Sequence, residues 1–480
     1  MKFLGRMEEL GRLRRLTESK GGGLAVVHGR RRVGKTRLLL EWLDRVGGLY
    51  FVADTSAPPL QRRYLAETLA RKFPGFADVS YPDWRSLFAR LAGDAERDGW
   101  RGPLVLDEIP CLAAASPELP SVLQGWLDGA ARKAGLIIAI AGSSQRMMQG
   151  IVLGRESPLY QRAREILKLD PLPAECLRAA FGVDDPTALV DLYTAWGGIP
   201  KYWELSRDLG MVPRDQVEHL VLDPLGALHD EPNTLIIEED PAIAQIRPLL
   251  DVIGAGAHRA SEIAGRIGRP ATALSEPLRR LQEVGLVIRE VPFGKSAKTS
   301  KQSLYKLLDP FCRLWFRLVA PHRAALVAGT RRSRLHLLGQ GWPGLASAAW
   351  EELTRLAVPR LSPDAPIGRT GPWGPALRWW AGRGKDPQRE FACEWDFVAE
   401  SLDGARLLLG ETKWSAEALS AEAVEGEARR LLARPRPQLP GAEEDRELVF
   451  ALAVIAVNGR PDLPPGVVLL TGSNIFDPTH

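Results

Sequence analysis

The sequence predicts an α/β multidomain protein, and three observations predict it. The chain has 480 residues, 45% hydrophobic and 25% charged, an ordinary globular composition on a chain too long for a single core; length alone suggests about three domains. Near the N-terminus a glycine-punctuated basic loop stands between an apolar, partly β-branched run and a helix-like stretch. Near the C-terminus two apolar runs joined by Asp-Gly each carry carboxylates.

The N-terminal loop is Gly29-Arg30-Arg31-Arg32-Val33-Gly34-Lys35-Thr36, which spells G-x-x-x-x-G-K-T. Leu24-Ala25-Val26-Val27-His28 before it reads as a buried strand, and Arg37 to Leu43 after it reads as a helix. Strand, glycine turn and helix N-terminus in that order aim backbone N–H groups and the positive helix end at one point, which suits a polyphosphate. Lys35 is expected to reach the β- and γ-phosphates and the Thr36 hydroxyl to bind Mg²⁺, while Gly29 and Gly34 permit the turn. A chance glycine turn is the bland alternative, and the complete motif in its full context argues against it.

Phe3-Leu4-Gly5-Arg6 leads into Glu8, Glu9, Leu10, Leu13 and Leu16, an amphipathic helix ahead of the first strand. Leu104-Val105-Leu106-Asp107-Glu108 is an apolar strand ending in two carboxylates, tolerable at the C-terminal tip, where ligands bind in an open α/β sheet. Asp107 would hold Mg²⁺ through water and Glu108 would orient or deprotonate the attacking water; capping the next helix is the alternative. Leu136 to Ala141 is another strand, running into Gly142-Ser143-Ser144. Ser143 there either hydrogen-bonds the γ-phosphate or serves the turn. Arg155, Arg162 and Arg164 surround Pro158-Leu159-Tyr160. Arg162 is the candidate finger onto a neighbouring subunit's phosphate, which would imply a homo-oligomer; a plain surface arginine is the rival.

Net charge is only +4, so nucleic-acid binding must be argued from local clusters. Cys111, Cys176, Cys312 and Cys393 lie far apart without a C-x-x-C pair, which argues against a zinc site or disulfide framework. The start, Met1-Lys2-Phe3-Leu4-Gly5-Arg6, has no apolar signal region, and the longest apolar run, Leu448 to Val457, is too short for a bilayer. A cytoplasmic protein without membrane contact is expected.

Phe3-Leu4-Gly5-Arg6, the Gly29–Thr36 loop, Leu106-Asp107-Glu108, Gly142-Ser143-Ser144, Leu159-Tyr160-Gln161-Arg162-Ala163 and Trp196-Gly197-Gly198-Ile199-Pro200-Lys201-Tyr202 together resemble the archaeal-type ATPase family. This is a branch of P-loop ATPases near the AAA+ and STAND ATPases. The resemblance implies a P-loop NTPase (AAA+-like) core over residues 1–165, a helical lid over 166–240 containing Gly-Gly-Ile-Pro-Lys-Tyr, and ATP with Mg²⁺ as cofactors. Gln161 departs from the pattern, since the family often carries Gly before the arginine.

Between Asp223 and Pro241 the chain is acidic and proline-punctuated, including Glu238-Glu239-Asp240, and reads as a boundary. Over 241–325 the pattern is two short helices (Ile246 to Ile253, Ala260 to Ile267), a Gly268-Arg269-Pro270 turn, a helix over Ala273 to Val284, and two strands around a loop holding Lys295, Lys298 and Lys301. Leu274, Leu278, Leu281 and Val284 make the buried stripe. That is a winged helix, whose second helix would enter the major groove with Arg269, Arg279 and Arg280 while Lys295 and Lys298 touch phosphate. DNA is the expected partner; a protein-docking module with solvated lysines is the alternative.

In the last region, 326–480, Leu345 to Val358 reads as a helix holding Glu351 and Glu352. Asp403-Gly404 between apolar runs signals a two-residue hairpin, in whose register Asp396 faces Glu411 and Glu394 faces Lys413. Like charges directly opposite on a sheet repel, and a divalent metal held by Asp396 and Glu411 would offset that, with Lys413 beside it to position or activate a water. Asp396, Glu411 and Lys413 resemble the PD-(D/E)xK nuclease motif, a domain archaeal-type ATPases carry at this end, and Glu351 matches the helix glutamate of many members. Trp395 stands where the motif has Pro. The resemblance implies a restriction-endonuclease-like α/β domain. The combined expectation is an ATP-hydrolysing, DNA-binding protein with a Mg²⁺-dependent nuclease. Its rivals are an ATP-dependent regulatory switch with an inactive nuclease-like domain and a pure interaction module.

Overall fold

Five short apolar runs, β1 (Gly23–His28), β2 (Leu49–Val52), β3 (Leu104–Asp107), β4 (Ile137–Gly142) and β5 (Ala163–Lys168), assemble into one parallel sheet in the order β2-β3-β4-β1-β5. The computed structural model from which this is read describes residues 2–239, 241–300, 302–381, 394–437, 439 and 446–477, with only the backbone of 241 and 242. Met1, Asp240, Lys301 and Cys393, named above, lie outside the described residues.

β3 and β4 are buried along their whole length and β1 nearly so, as strands with apolar residues on both faces must be. β5 alternates exposed and covered residues and sits at the edge. Sequence reasoning found β1, β3 and β4 but not β2 and β5. β2 has four residues and β5 is half charged, so neither shows the continuous apolar run that marks a central strand.

Helices Met7–Glu18 and Lys35–Val46 bury Leu10, Leu13 and Leu16, and Leu38, Leu39 and Trp42, respectively. The helix Trp84–Asp98 starts where the Asp83 carboxylate accepts from the Ser86 amide at 2.8 Å. Its Phe88 ring stacks on Trp84 and Trp126. The chain divides into two units: the first comprises 1–172, 199–204 and 233–244, and the second 173–198, 205–232 and 245–480.

In the second unit, helices Arg247–Gly254, Ala260–Ile267 and Ser275–Glu283 precede an antiparallel pair, β6 (Val287–Glu290) and β7 (Leu304–Leu307). Leu274, Leu278, Leu281 and Val284 are buried. The amide of Phe293, just after β6, donates to the carbonyl of Arg378 at 2.8 Å. This joins the β6–β7 connection to β8 (Leu377–Trp380).

β8 opens a second sheet with β9 (Glu394–Glu400), β10 (Arg406–Lys413), β12 (Glu447–Val454) and β14 (Val467–Leu470), in the order β14-β12-β10-β9-β8. β8, β9 and β10 run antiparallel, while β10, β12 and β14 run parallel. A two-strand parallel pair, β11 (Leu419–Ser420) and β13 (Val457–Asn458), lies beside the helix Ala421–Leu432. The β9–β10 register is Glu400↔Leu407 to Phe397↔Gly410, the offset expected from the sequence.

The connection between β9 and β10 differs from the expected two-residue turn. The Ser401 amide donates to the Arg406 carbonyl at 3.1 Å, so four residues, Leu402 to Ala405, make it. The Asp403 carboxylate explains the wider loop: it accepts from the Ala405 amide at 3.0 Å and the Ser401 hydroxyl at 2.6 Å.

The helix expected over Leu345 to Val358 runs from Arg331 to Ala357 with Pro343 inside. Its basic start is not a free patch: Arg331 pairs with Asp215 and Glu218, and Arg334 with Glu218 and Asp223.

Candidate functional site

The Gly29–Thr36 loop bridges β1 and the helix Lys35–Val46, as the strand–turn–helix pattern requires. Gly29 has φ +147° and Gly34 φ +92°; a Cβ on Gly29 would lie 2.4 Å from the Leu169 carbonyl oxygen. Arg32 also takes a positive φ, +69°. The Lys35 ammonium folds over the loop and donates to the carbonyls of Gly29 and Arg30 at 2.9 and 3.0 Å. Burial pulls Lys35 down to about 8, against the pull of Glu108 and Asp107.

β1, β3 and β4 end at the same rim of the sheet, which brings the expected residues together. The Thr36 hydroxyl donates to Asp107 Oδ2 at 2.9 Å and the Ser143 hydroxyl to Glu108 Oε1 at 2.6 Å. Glu108 takes a left-handed backbone, φ +52°, which turns its side chain from the strand toward Ser143. Two participants were not foreseen. Tyr50, on β2, donates to the same Asp107 oxygen at 2.7 Å, and burial, then Asp107, raises its phenol. Glu239 accepts from the Gln145 amide at 2.9 Å, and burial raises its carboxyl. Its neighbour Glu238 pairs with Arg31 at 3.4 Å. The acidic stretch read as a boundary thus ends in a helix, Glu231–Glu239, whose last residues meet the loop.

A cavity of about 630 Å³ opens over the loop, lined by Phe3, Leu4, Val33, Lys35, Thr36 and Pro200 among others. Two stretches distant in sequence, Phe3-Leu4 and Pro200-Lys201, therefore sit at one pocket. Arg6 is buried and donates to the carbonyls of Val33, at 3.2 Å, and Asp170. Arg162 is committed within the chain: its Nε and Nη2 donate to Asp128 Oδ2 at 3.0 and 2.9 Å. Gln161 holds φ +59°, the conformation for which glycine is the easy choice.

The C-terminal carboxylates gather at one end of β9 and β10. Asp396 Oδ2 accepts from the Thr412 amide and hydroxyl at 2.8 and 2.9 Å. Glu411 is held by Arg434 and, at 3.2 Å, by Lys413. Burial raises the Glu411 carboxyl, Arg434 opposes the rise and Asp396 adds to it. Burial likewise raises Glu351, Asp396 adds to the rise, and Arg378 and Arg355 oppose it. Burial pulls Lys413 down but Glu411 and Glu427 outweigh it, so its pKa ends above the ordinary value. Among the described residues no three His, Cys, Asp or Glu side chains form a group able to hold a metal. While Arg434 and Lys413 pair with both oxygens of Glu411, the cluster is closed to a divalent cation.

Of the residues expected to face DNA, Arg269, Lys295 and Lys298 are exposed. Arg279 is neutralised on its own helix by Glu276 and Glu283. Arg434 and Arg378 were not found from sequence; nothing in their spacing marks them.

A five-stranded parallel sheet carrying this loop at β1 and the carboxylate pair at the end of β3 defines the first unit as having a P-loop nucleotide-binding fold. The chain shares its fold with a solved Walker-type ATPase of Pyrococcus abyssi, 19% identical with a TM-score of 0.51, across 66% of this chain and 96% of that one. An uncharacterized protein of Methanocaldococcus jannaschii is 29% identical over 329 residues, 68% of this chain and 71% of that protein. No protein-family model matches the sequence. Among the described residues no helix is long and apolar enough to cross a membrane.

Proposed function

We propose that the chain binds and hydrolyses ATP in the presence of Mg²⁺, and that nucleotide state governs a DNA-binding second unit. The observation that carries this is the convergence of Lys35, Thr36, Asp107, Glu108 and Ser143 at one rim of the sheet. The loop amides and Lys35 bind and orient the phosphates. Thr36 and Asp107, 2.9 Å apart, suit Mg²⁺, with Asp107 acting through water; bound there, the ion would neutralise charge developing on the phosphate oxygens. Glu108, fixed at one oxygen by Ser143, accepts the proton of the attacking water. Titration calorimetry with Mg-ATP tests the reading. Lys35→Ala is expected to weaken binding by at least tenfold, and undiminished affinity would remove Lys35 from the phosphates.

For DNA the supporting residues are Arg269, Arg280, Lys295 and Lys298, arranged on a helix–turn–helix with a β-hairpin as a winged helix would have them; Arg279 contributes little while Glu276 and Glu283 match its charge. A homo-oligomer in which Arg162 reaches a neighbour's phosphate requires that phosphate to compete with Asp128. A cytoplasmic location accords with these roles.

A second reading is nuclease activity at Asp396, Glu411 and Lys413, with Glu351 nearby. It is favoured by the mixed sheet and by the electrostatic coupling of Asp396 to both glutamates. Lys413, with its raised pKa, is a charge that positions rather than a base. Activity requires Glu411 to part from Arg434. Incubating plasmid with the protein and Mg²⁺ or Mn²⁺ is expected to give nicking that Asp396→Ala lowers at least a hundredfold. Nicking that survives Asp396→Ala removes the assignment, and an inert parent protein leaves the regulatory switch.

A further inference from the structure

The second unit holds a cavity of about 750 Å³, within the size range of small-ligand sites; of the residues given a role above, only Glu351 lines it. Ile253, Leu345, Leu356 and Leu377 supply apolar wall. Lys306, Arg289, Arg313, Arg317, Arg355 and Arg378 also line it, against three carboxylates, Glu290, Glu351 and Glu352.

The carboxylates do not match the cations. Glu352 is taken by Arg313 and by the Tyr193 hydroxyl at 3.1 Å. Glu290 is taken by Lys306 at 2.8 Å. Glu351 is shared at long range, 3.6 Å from Arg355 and 3.9 Å from Arg378. Arg378 also lies 3.9 Å from Glu290 and reaches outward to Glu394 at 3.3 Å. Among the described residues Arg289 and Arg317 have no carboxylate partner; Arg317 is exposed, and Arg289 donates to the carbonyls of Ala297 and Ser300 at 2.5 and 2.7 Å, while the buried Nε–H groups of Arg289 and Arg313 have no acceptor. Surplus positive charge and orphaned donors in a partly buried space are costly, and an anion offsets both. Lys306 responds to the same surroundings: burial first, then Arg378, lowers its pKa. Guanidinium groups match phosphate oxygens two at a time, and the adjoining leucine and isoleucine wall accepts a base or similar apolar body.

We propose that this cavity is a second ligand site, separate from the Gly29–Thr36 loop, for a nucleoside phosphate whose phosphate lies on Arg355 and Arg378 and whose base lies on the apolar wall. The ligand chemistry is the same for a free mononucleotide and for the phosphorylated end of a nucleic-acid strand. The inference does not depend on ATP hydrolysis or on nuclease activity.

The test uses the full chain carrying Lys35→Ala, so that the loop does not contribute, and titrates it with 5′-thymidylate and with a 5′-phosphorylated oligothymidylate. Saturable binding of at least one probe is expected. Ala348→Phe, which fills the cavity at a half-buried wall position without altering a charge, should weaken it at least tenfold. Arg378→Gln should do likewise. Comparable affinity for both probes identifies a free nucleotide, and a strong preference for the oligonucleotide identifies a strand end. Absence of saturable binding, or binding that Ala348→Phe leaves unchanged in a protein melting like its parent, overturns the proposal. Should one variant fail to fold, the other decides by the same criterion.

Discussion

Glu108→Gln is expected to lower ATP turnover by about 10²–10⁴-fold, the range for losing a positioned general base, while leaving ATP affinity nearly intact. The substitution is nearly isosteric and keeps an oxygen able to accept from the Ser143 hydroxyl, now 2.6 Å from Glu108 Oε1, so the local backbone and the left-handed conformation at Glu108 should persist. What disappears is the carboxylate that takes a proton. Turnover measured by phosphate release, alongside nucleotide affinity by calorimetry, separates these effects. Unchanged turnover would assign Glu108 to the start of the next helix, Ile109–Ala115, and leave the chain without its proton acceptor.

Trp395→Ala should cost about 3–5 kcal/mol of stability, the range for emptying a large buried aromatic site. Trp395 is fully buried, stands opposite Trp379 across β8 and β9, and packs near Phe450 with ring centroids 6.2 Å apart. Its indole N–H donates to the Pro435 carbonyl at 3.2 Å, and the Arg434 guanidinium lies over the ring at 5.4 Å. Urea unfolding followed by far-ultraviolet circular dichroism measures the loss, and Trp395→Phe should retain much of the stability. A loss below about 0.5 kcal/mol, the range of ordinary surface changes, would mean that the sheet does not rest on this ring.

Trp395 has a packing role of its own at the position before Asp396. The position before Asp396 points into the core under Arg434, the residue that holds Glu411, so a large flat side chain there supports the cation. Sequence reasoning registered the departure but had no means of finding Arg434, whose tie to Glu411 spans 23 positions.

Legibility followed the range of the interaction. The placement of the Gly29–Thr36 loop, Asp107 and Glu108 was readable because it depends on a few adjacent residues. The β9–β10 register was readable because side-chain alternation fixes it once the turn is centred, although the Asp403 hydrogen bonds widened the turn itself. Tyr50, Glu239 and Arg378 were not readable, since each reaches its site from a separate element through folding alone. Arg279 shows the opposite error: a basic residue outside the buried stripe looked available, and two glutamates one helical turn away on either side neutralise it.

The hydrogen bond from Phe293 to Arg378 ties the segment after β6 to the edge strand β8. A hairpin loop fastened at one point to the border of a neighbouring sheet has fewer conformations open to it than a free one. The same residue whose carbonyl fastens the loop carries the guanidinium that spans Glu290, Glu351 and Glu394.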